Sequence, residues 1–167
     1  MLKRLFLSLV CSLLCVSVFA QESRAFKQGY SGNVEVANMT IFGKDMYGAR
    51  MQFGTTHGYS FGNGAFVGAG AGLLHDITFN ENFVFSVYFD SKYNFTDTKV
   101  SPFVSLRSGV RFMGGAHYLG NFANIGGGAD FGRFSVRLAY ELSGREMTSN
   151  RLLLKDNAIY CSLAFMF

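Results

Sequence analysis

The chain has 167 residues, about half of them hydrophobic, with 15 basic and 11 acidic side chains and a formal net charge of +4. That length holds one domain beside a leader. The charge is too small and too scattered for a nucleic-acid surface, and cysteine is too scarce for a disulfide framework or a cysteine-based metal site.

Residues 1–20 read as a cleaved secretory signal. Lys3 and Arg4 open it, an apolar run covers Leu5 to Val18, and Val18-Phe19-Ala20 supplies the small-residue cleavage pattern. The apolar run is short for a spanning helix. Ser12-Leu13-Leu14 before Cys15 puts a leucine where a lipoprotein signal needs a small residue. Cleavage would remove Lys3, Arg4, Cys11 and Cys15, leaving a nearly neutral domain over 21–167 with Cys161 as its single thiol.

Turn residues then cut the domain into eight segments, near 29–38, 49–59, 65–74, 83–93, 102–112, 118–129, 133–142 and 158–167. Alternation with a period of two marks them as strands. The second sets Met51, Phe53, Thr55, His57 and Tyr59 against Arg50, Gln52, Gly54, Thr56 and Gly58. The fourth sets Phe83, Phe85, Val87 and Phe89 against Ser86, Tyr88, Asp90 and Lys92. In the fifth, Pro102 sits at the strand start, where its missing N–H is tolerated; Val104, Leu106, Val110 and Phe112 oppose Ser105, Arg107, Gly109 and Arg111. The seventh sets Phe134, Val136, Leu138, Tyr140 and Leu142 against Ser135, Arg137, Ala139 and Glu141. Glycine and alanine blur the first, third and sixth. In the eighth, Ile159, Cys161, Leu163, Phe165 and Phe167 share one face.

The strand charges Glu35, Arg50, Asp90, Lys92, Arg107, Arg111, Arg137 and Glu141 all oppose the apolar face. Small residues and the large aromatics Phe66, Tyr88, Phe103 and Tyr160 fill the rest of that polar face. Such a mixture suits the packed interior of a narrow barrel better than a wetted surface. In lipid a sheet must close on itself, and eight strands leave an interior that side chains about fill. The expected fold is therefore an all-β, eight-stranded, antiparallel, up-and-down transmembrane β-barrel with its apolar face outward. Glu35, Asp90, Arg107, Arg111, Arg137 and Glu141 are expected to pair as one interior ladder that plugs it, because buried charges persist only when paired.

An even strand number puts both termini on one side, the periplasm, with outer connections at 39–48, 75–82, 113–117 and 143–157 and inner ones at 60–64, 94–101 and 130–132. Tyr30, Tyr59, Tyr93, Phe134 and Phe167 would mark the periplasmic rim, and Tyr47, Phe83, Phe112 and Tyr118 the outer rim. In the last outer loop Arg145, Arg151 and Lys155 are candidate contacts for lipid-headgroup phosphates.

The signal, the eight alternating segments, the glycine-rich hairpins and the final Phe165-Met166-Phe167 together resemble the small outer-membrane β-barrels of Gram-negative bacteria, of the OmpA/OmpX type. Phe66-Val67-Gly68-Ala69-Gly70-Ala71-Gly72 and Ser101-Pro102-Phe103-Val104-Ser105-Leu106-Arg107 are similar to that family's hairpins. The resemblance implies a monomer among outer-membrane lipids, with Phe165 and Phe167 as the signal read by the barrel assembly machinery. It implies no single activity. A structural or surface-interaction role is expected, the alternatives being a soluble periplasmic lipocalin-like barrel for a small apolar ligand and a narrow passive channel.

Chemistry is sparse. Barrels that deacylate lipids use His and Ser on neighbouring positions of one strand, but His57 and Ser60 fall on opposite faces, and His75 and His117 have no serine two residues away. No base, nucleophile and orienting group fall in mutual reach, so an enzyme is not expected. No metal-ligand spacing and no phosphate-cradling glycine loop occurs, so no cofactor is expected and nucleic acid is not a partner.

Overall fold

The computed structural model describes residues 26–42, 47–77, 83–113, 118–147 and 154–167. The leader at 1–20, His117 and Arg151 lie outside them.

Eight strands form one closed antiparallel barrel in chain order: β1 (Gln28–Phe42), β2 (Tyr47–Phe61), β3 (Ala65–Asp76), β4 (Phe83–Asn94), β5 (Val100–Met113), β6 (Tyr118–Phe131), β7 (Phe134–Met147) and β8 (Leu154–Met166). Closure joins β8 to β1. Gly32 donates to the Phe167 carbonyl at 3.1 Å, and Phe167 donates back at 2.9 Å.

Short connections gather at one end. Gly62 (φ 77°) and Gly64 (φ 88°) reverse β2 into β3, and Gly132 (φ 62°) reverses β6 into β7. These are left-handed conformations that only glycine adopts cheaply. Between β4 and β5 the Ser101 hydroxyl donates to the Thr96 carbonyl at 2.5 Å, and Phe95 N–H donates to Pro102 at 2.9 Å. This is the turn end; the opposite one is the loop end.

The strands are longer than their apolar pattern. The expected outer loops at 39–48 and 143–157 are largely strand: β1 pairs with β2 as far as Phe42–Tyr47, and β7 pairs with β8 as far as Arg145–Leu154. Backbone pairing continues past the hydrophobic band, since ladder hydrogen bonds do not depend on which side chains flank them.

Register sets the shape. A path across the ladder from Gly29 runs through Ser60, Phe66, Lys92, Ser105, Gly126, Ala139 and Tyr160, and rejoins β1 at Met39, ten residues along. A stagger of this size on eight strands goes with a strand tilt of about 35–45° and an interior just wide enough for side chains.

The faces are inverted relative to a protein in water. Phe89 is 73% exposed and Leu138 60%, whereas Arg107 is 1% exposed. Twenty-nine large apolar side chains among the described residues point outward, against thirteen hydrophobic residues buried. An apolar surface of this extent is far larger than a soluble monomer exposes, and hydrocarbon is the solvent that fits it.

One stretch departs from that inversion. In the loop-end half of β1, Met39 and Ile41 are buried while Asn38 and Thr40 face outward. With Ala37, Leu74, Ala139, Ala158 and Tyr160 they form an apolar interior cluster.

Candidate functional site

The polar interior is the constellation that the strand register builds. Arg107 is its hub, directly across the ladder from Asp90. Its Nη2 donates to Asp90 Oδ2 at 2.7 Å and its Nε to the same oxygen at 3.2 Å. Its Nη1 reaches across the lumen to Glu35 Oε1 and to the Tyr160 hydroxyl at 2.9 Å, and that hydroxyl donates to Glu35 Oε1 at 2.7 Å. The guanidinium lies 4.2 Å from the centre of the Tyr88 ring. Gly70 makes room for that ring, since a Cβ there would sit 2.4 Å from it. Arg137 Nη2 completes the group on Asp90, at 3.0 and 3.2 Å from its two oxygens.

Arg111 and Glu141 form a separate, bidentate pair at 2.7 and 2.9 Å, with the guanidinium 4.2 Å over Phe122. The six charges thus form two groups rather than the single expected ladder. A third pair joins them nearest the turn end: Lys92 Nζ donates to Asp130 Oδ2 at 2.8 Å, as does Asn94 Nδ2.

Asp130 was expected in a turn. It is the last inward position of β6, continuing the face of Gly126 and Gly128, and the parity of that strand was the signal for it. Tyr160 and Tyr88 stand on the polar face as their parity predicts. Their use as ligands of Arg107 was not foreseen, although a phenol inside a narrow lumen needs a polar partner.

At the turn end Tyr30, Tyr59, Tyr93 and Phe167 are exposed, and Phe134 packs edge-on to Phe165. At the loop end Phe83 and Phe112 are exposed; the side chains of Tyr47 and Tyr118 lie outside the described residues. Phe165 and Phe167 face outward on β8 and at its end, as does Cys161. Arg145 and Lys155 fall near the loop end of β7 and β8, with their side chains outside the described residues.

One histidine has company that the sequence did not advertise. On the outward face the Tyr30 hydroxyl lies 2.5 Å from His57 Nδ1, and Thr55 Oγ1 lies 3.0 Å from His57 Nε2. This has the outline of a nucleophile, base and orienting group, but the protons run the wrong way. Thr55 donates its one hydroxyl proton to the Asn33 carbonyl at 2.9 Å. Nε2–H must then donate to Thr55, and Nδ1 accepts from Tyr30. The imidazole therefore presents an N–H, not a free nitrogen, to the Thr55 hydroxyl and does not activate it as a nucleophile. Among the described residues no three metal-ligating side chains converge.

A closed eight-stranded antiparallel barrel with an apolar exterior and an ion-paired lumen is a small transmembrane β-barrel. Three solved structures share the architecture. Neisserial surface protein A (NspA) matches with a TM-score of 0.59 at 10% identity, over 84% of this chain and 99% of that one. A de novo designed transmembrane β-barrel matches at 0.58 and 11%, over 88% and 100%. The N-terminal β-barrel domain of Pseudomonas aeruginosa OprF matches at 0.51 and 15%, over 84% and 100%. No protein-family model matches the chain, and no curated protein does.

Proposed function

We propose that this protein resides in the outer membrane of a Gram-negative bacterium, as a small barrel with a structural or surface-interaction role and an interior that does not conduct. The observation that carries the reading is the inversion of faces: Phe89, Leu106 and Leu138 outward, Arg107, Asp90 and Glu141 inside. The soluble lipocalin-like alternative required the apolar set to line the lumen, which these exposures oppose. Against a passive channel stand the Arg107 cluster and the Arg111–Glu141 pair, which cross the lumen at two levels.

In this reading residues 1–20 direct export and are removed, and the barrel works as a monomer. Phe165 and Phe167 offer an aromatic grip on the closing strand to assembly machinery. Arg145, Arg151 and Lys155 contact headgroup phosphates beyond the apolar band. Two measurements test the core of it. Membrane fractionation with unheated gel migration should place the chain in the outer membrane as a compact species that shifts on boiling. Planar-bilayer recording should show no stable conductance steps. Recovery in the soluble wash would overturn the location, and regular steps would overturn the plug.

A further inference from the structure

The lumen is not filled evenly. A partly open cavity of about 20 Å³ lies in its turn-end half, lined among others by Ser31, Asn33, Glu35, Lys92, Arg137 and Ala164. One water needs on the order of 10–15 Å³ of such space and two to four polar partners. The partners are present. Arg137 is 7% exposed, and its buried Nη1 has no protein partner; neither has the buried Asn33 Oδ1. Arg111 Nε, Gln52 Nε2 and the Asn124 amide also lack partners, but none of these residues lines this cavity.

Charge decides what the site takes. Glu35, Asp90, Lys92 and Arg137 line it with two charges of each sign, and behind them Arg107 and Asp130 are likewise paired. An added anion or cation would unbalance this set, whereas water can accept from Arg137 and donate to Asn33. Toward the loop end the apolar cluster of Ala37, Met39, Ile41, Leu74, Ala139 and Ala158 packs beside the closed Arg111–Glu141 pair, with Arg111 Nη2 at 3.9 Å from Met39 Sδ.

We propose that the barrel is a blind cup: a water-binding site at the turn end, with Arg137 and Asn33 as its ligands, floored by the Arg107–Tyr160–Glu35 layer and sealed beyond it by the apolar cluster together with the Arg111–Glu141 pair. The ionic layer is then solvated from one end alone. The inference deepens the plugged-interior reading and rests on it.

Matched cysteines test the cup. In a chain with Cys11, Cys15 and Cys161 replaced by serine, Ala164→Cys places a thiol in the cavity lining and Ala158→Cys places one in the apolar cluster. Each variant is refolded into phosphatidylcholine vesicles, checked by unheated gel migration, and treated with silver nitrate in chloride-free buffer. Free thiols are then counted with a maleimide after denaturation. Silver is small, charged and thiol-specific, so it reports water contact. The expected result is loss of maleimide labelling for Ala164→Cys and full labelling for Ala158→Cys; Ala139→Cys replaces the latter if it fails to fold. Protection of both thiols would overturn the cup and leave the plug standing. Loss at both would reveal a continuous aqueous path and overturn the two together. Loss at Ala158→Cys alone would put the open side at the wrong end.

Discussion

Arg107 and Arg111 show how differently two buried cations on one strand can be held. Arg107 serves two carboxylates and a phenol, so no single replacement leaves its neighbours satisfied. Arg111 has one bidentate partner, Glu141. Breaking a buried pair from one side costs about 3–5 kcal/mol, while replacing both members with apolar residues is often nearly neutral. Arg111→Leu and Glu141→Leu should therefore each lower the unfolding free energy read from urea titration in vesicles by that order, and the double variant should recover most of the loss. Additive losses would mean that the pair is not coupled. Tyr160→Phe deletes the hydroxyl that both accepts from Arg107 and donates to Glu35. Leaving buried partners unsatisfied costs roughly 1–3 kcal/mol, and the same urea titration should show it.

Strand against strand, the close approaches are made by glycine. A Cβ on Gly128 would stand 1.9 Å from the Val136 carbonyl oxygen, a backbone atom that can move only if β6 and β7 part. On Gly144, in the same pair of strands, it would meet nothing nearer than 3.6 Å. Gly128→Ala should cost at least about 1–3 kcal/mol, the usual range for overpacking, and deplete the compact species on unheated gels. Gly144→Ala should migrate like the parent. Alternation located all eight strands because period two is a local property. It misjudged their ends because pairing outlasts the apolar band, and it ended β1 before Met39 and Ile41, which turn inward to join the apolar cluster with Leu74 and Ala158.

For the barrel as a body, the governing quantity is the apolar belt. Leu138 lies inside β7, on the same outward apolar face as Tyr140 and Leu142. An arginine on the lipid face near the midplane costs about 2–4 kcal/mol, so Leu138→Arg should destabilise the vesicle-inserted barrel by that amount. An unchanged or raised midpoint would mean that this face meets water, and the membrane assignment would fall with it.

Strand number, the facing of the six interior charges and the apolar exterior were all legible in the chain, because side-chain parity needs no knowledge of partners. Which carboxylate meets which arginine was not. Sliding a hairpin by two residues keeps every side chain on its face yet changes every neighbour across the ladder. Glu35 reaches Arg107, 72 positions away, only because a stagger of ten tilts the strands and brings both to one level of the lumen. The division into two ionic groups, the recruitment of Tyr160 and Asp130, and the cavity beside Arg137 all follow from that tilt, a property of the closed ring that no strand carries alone.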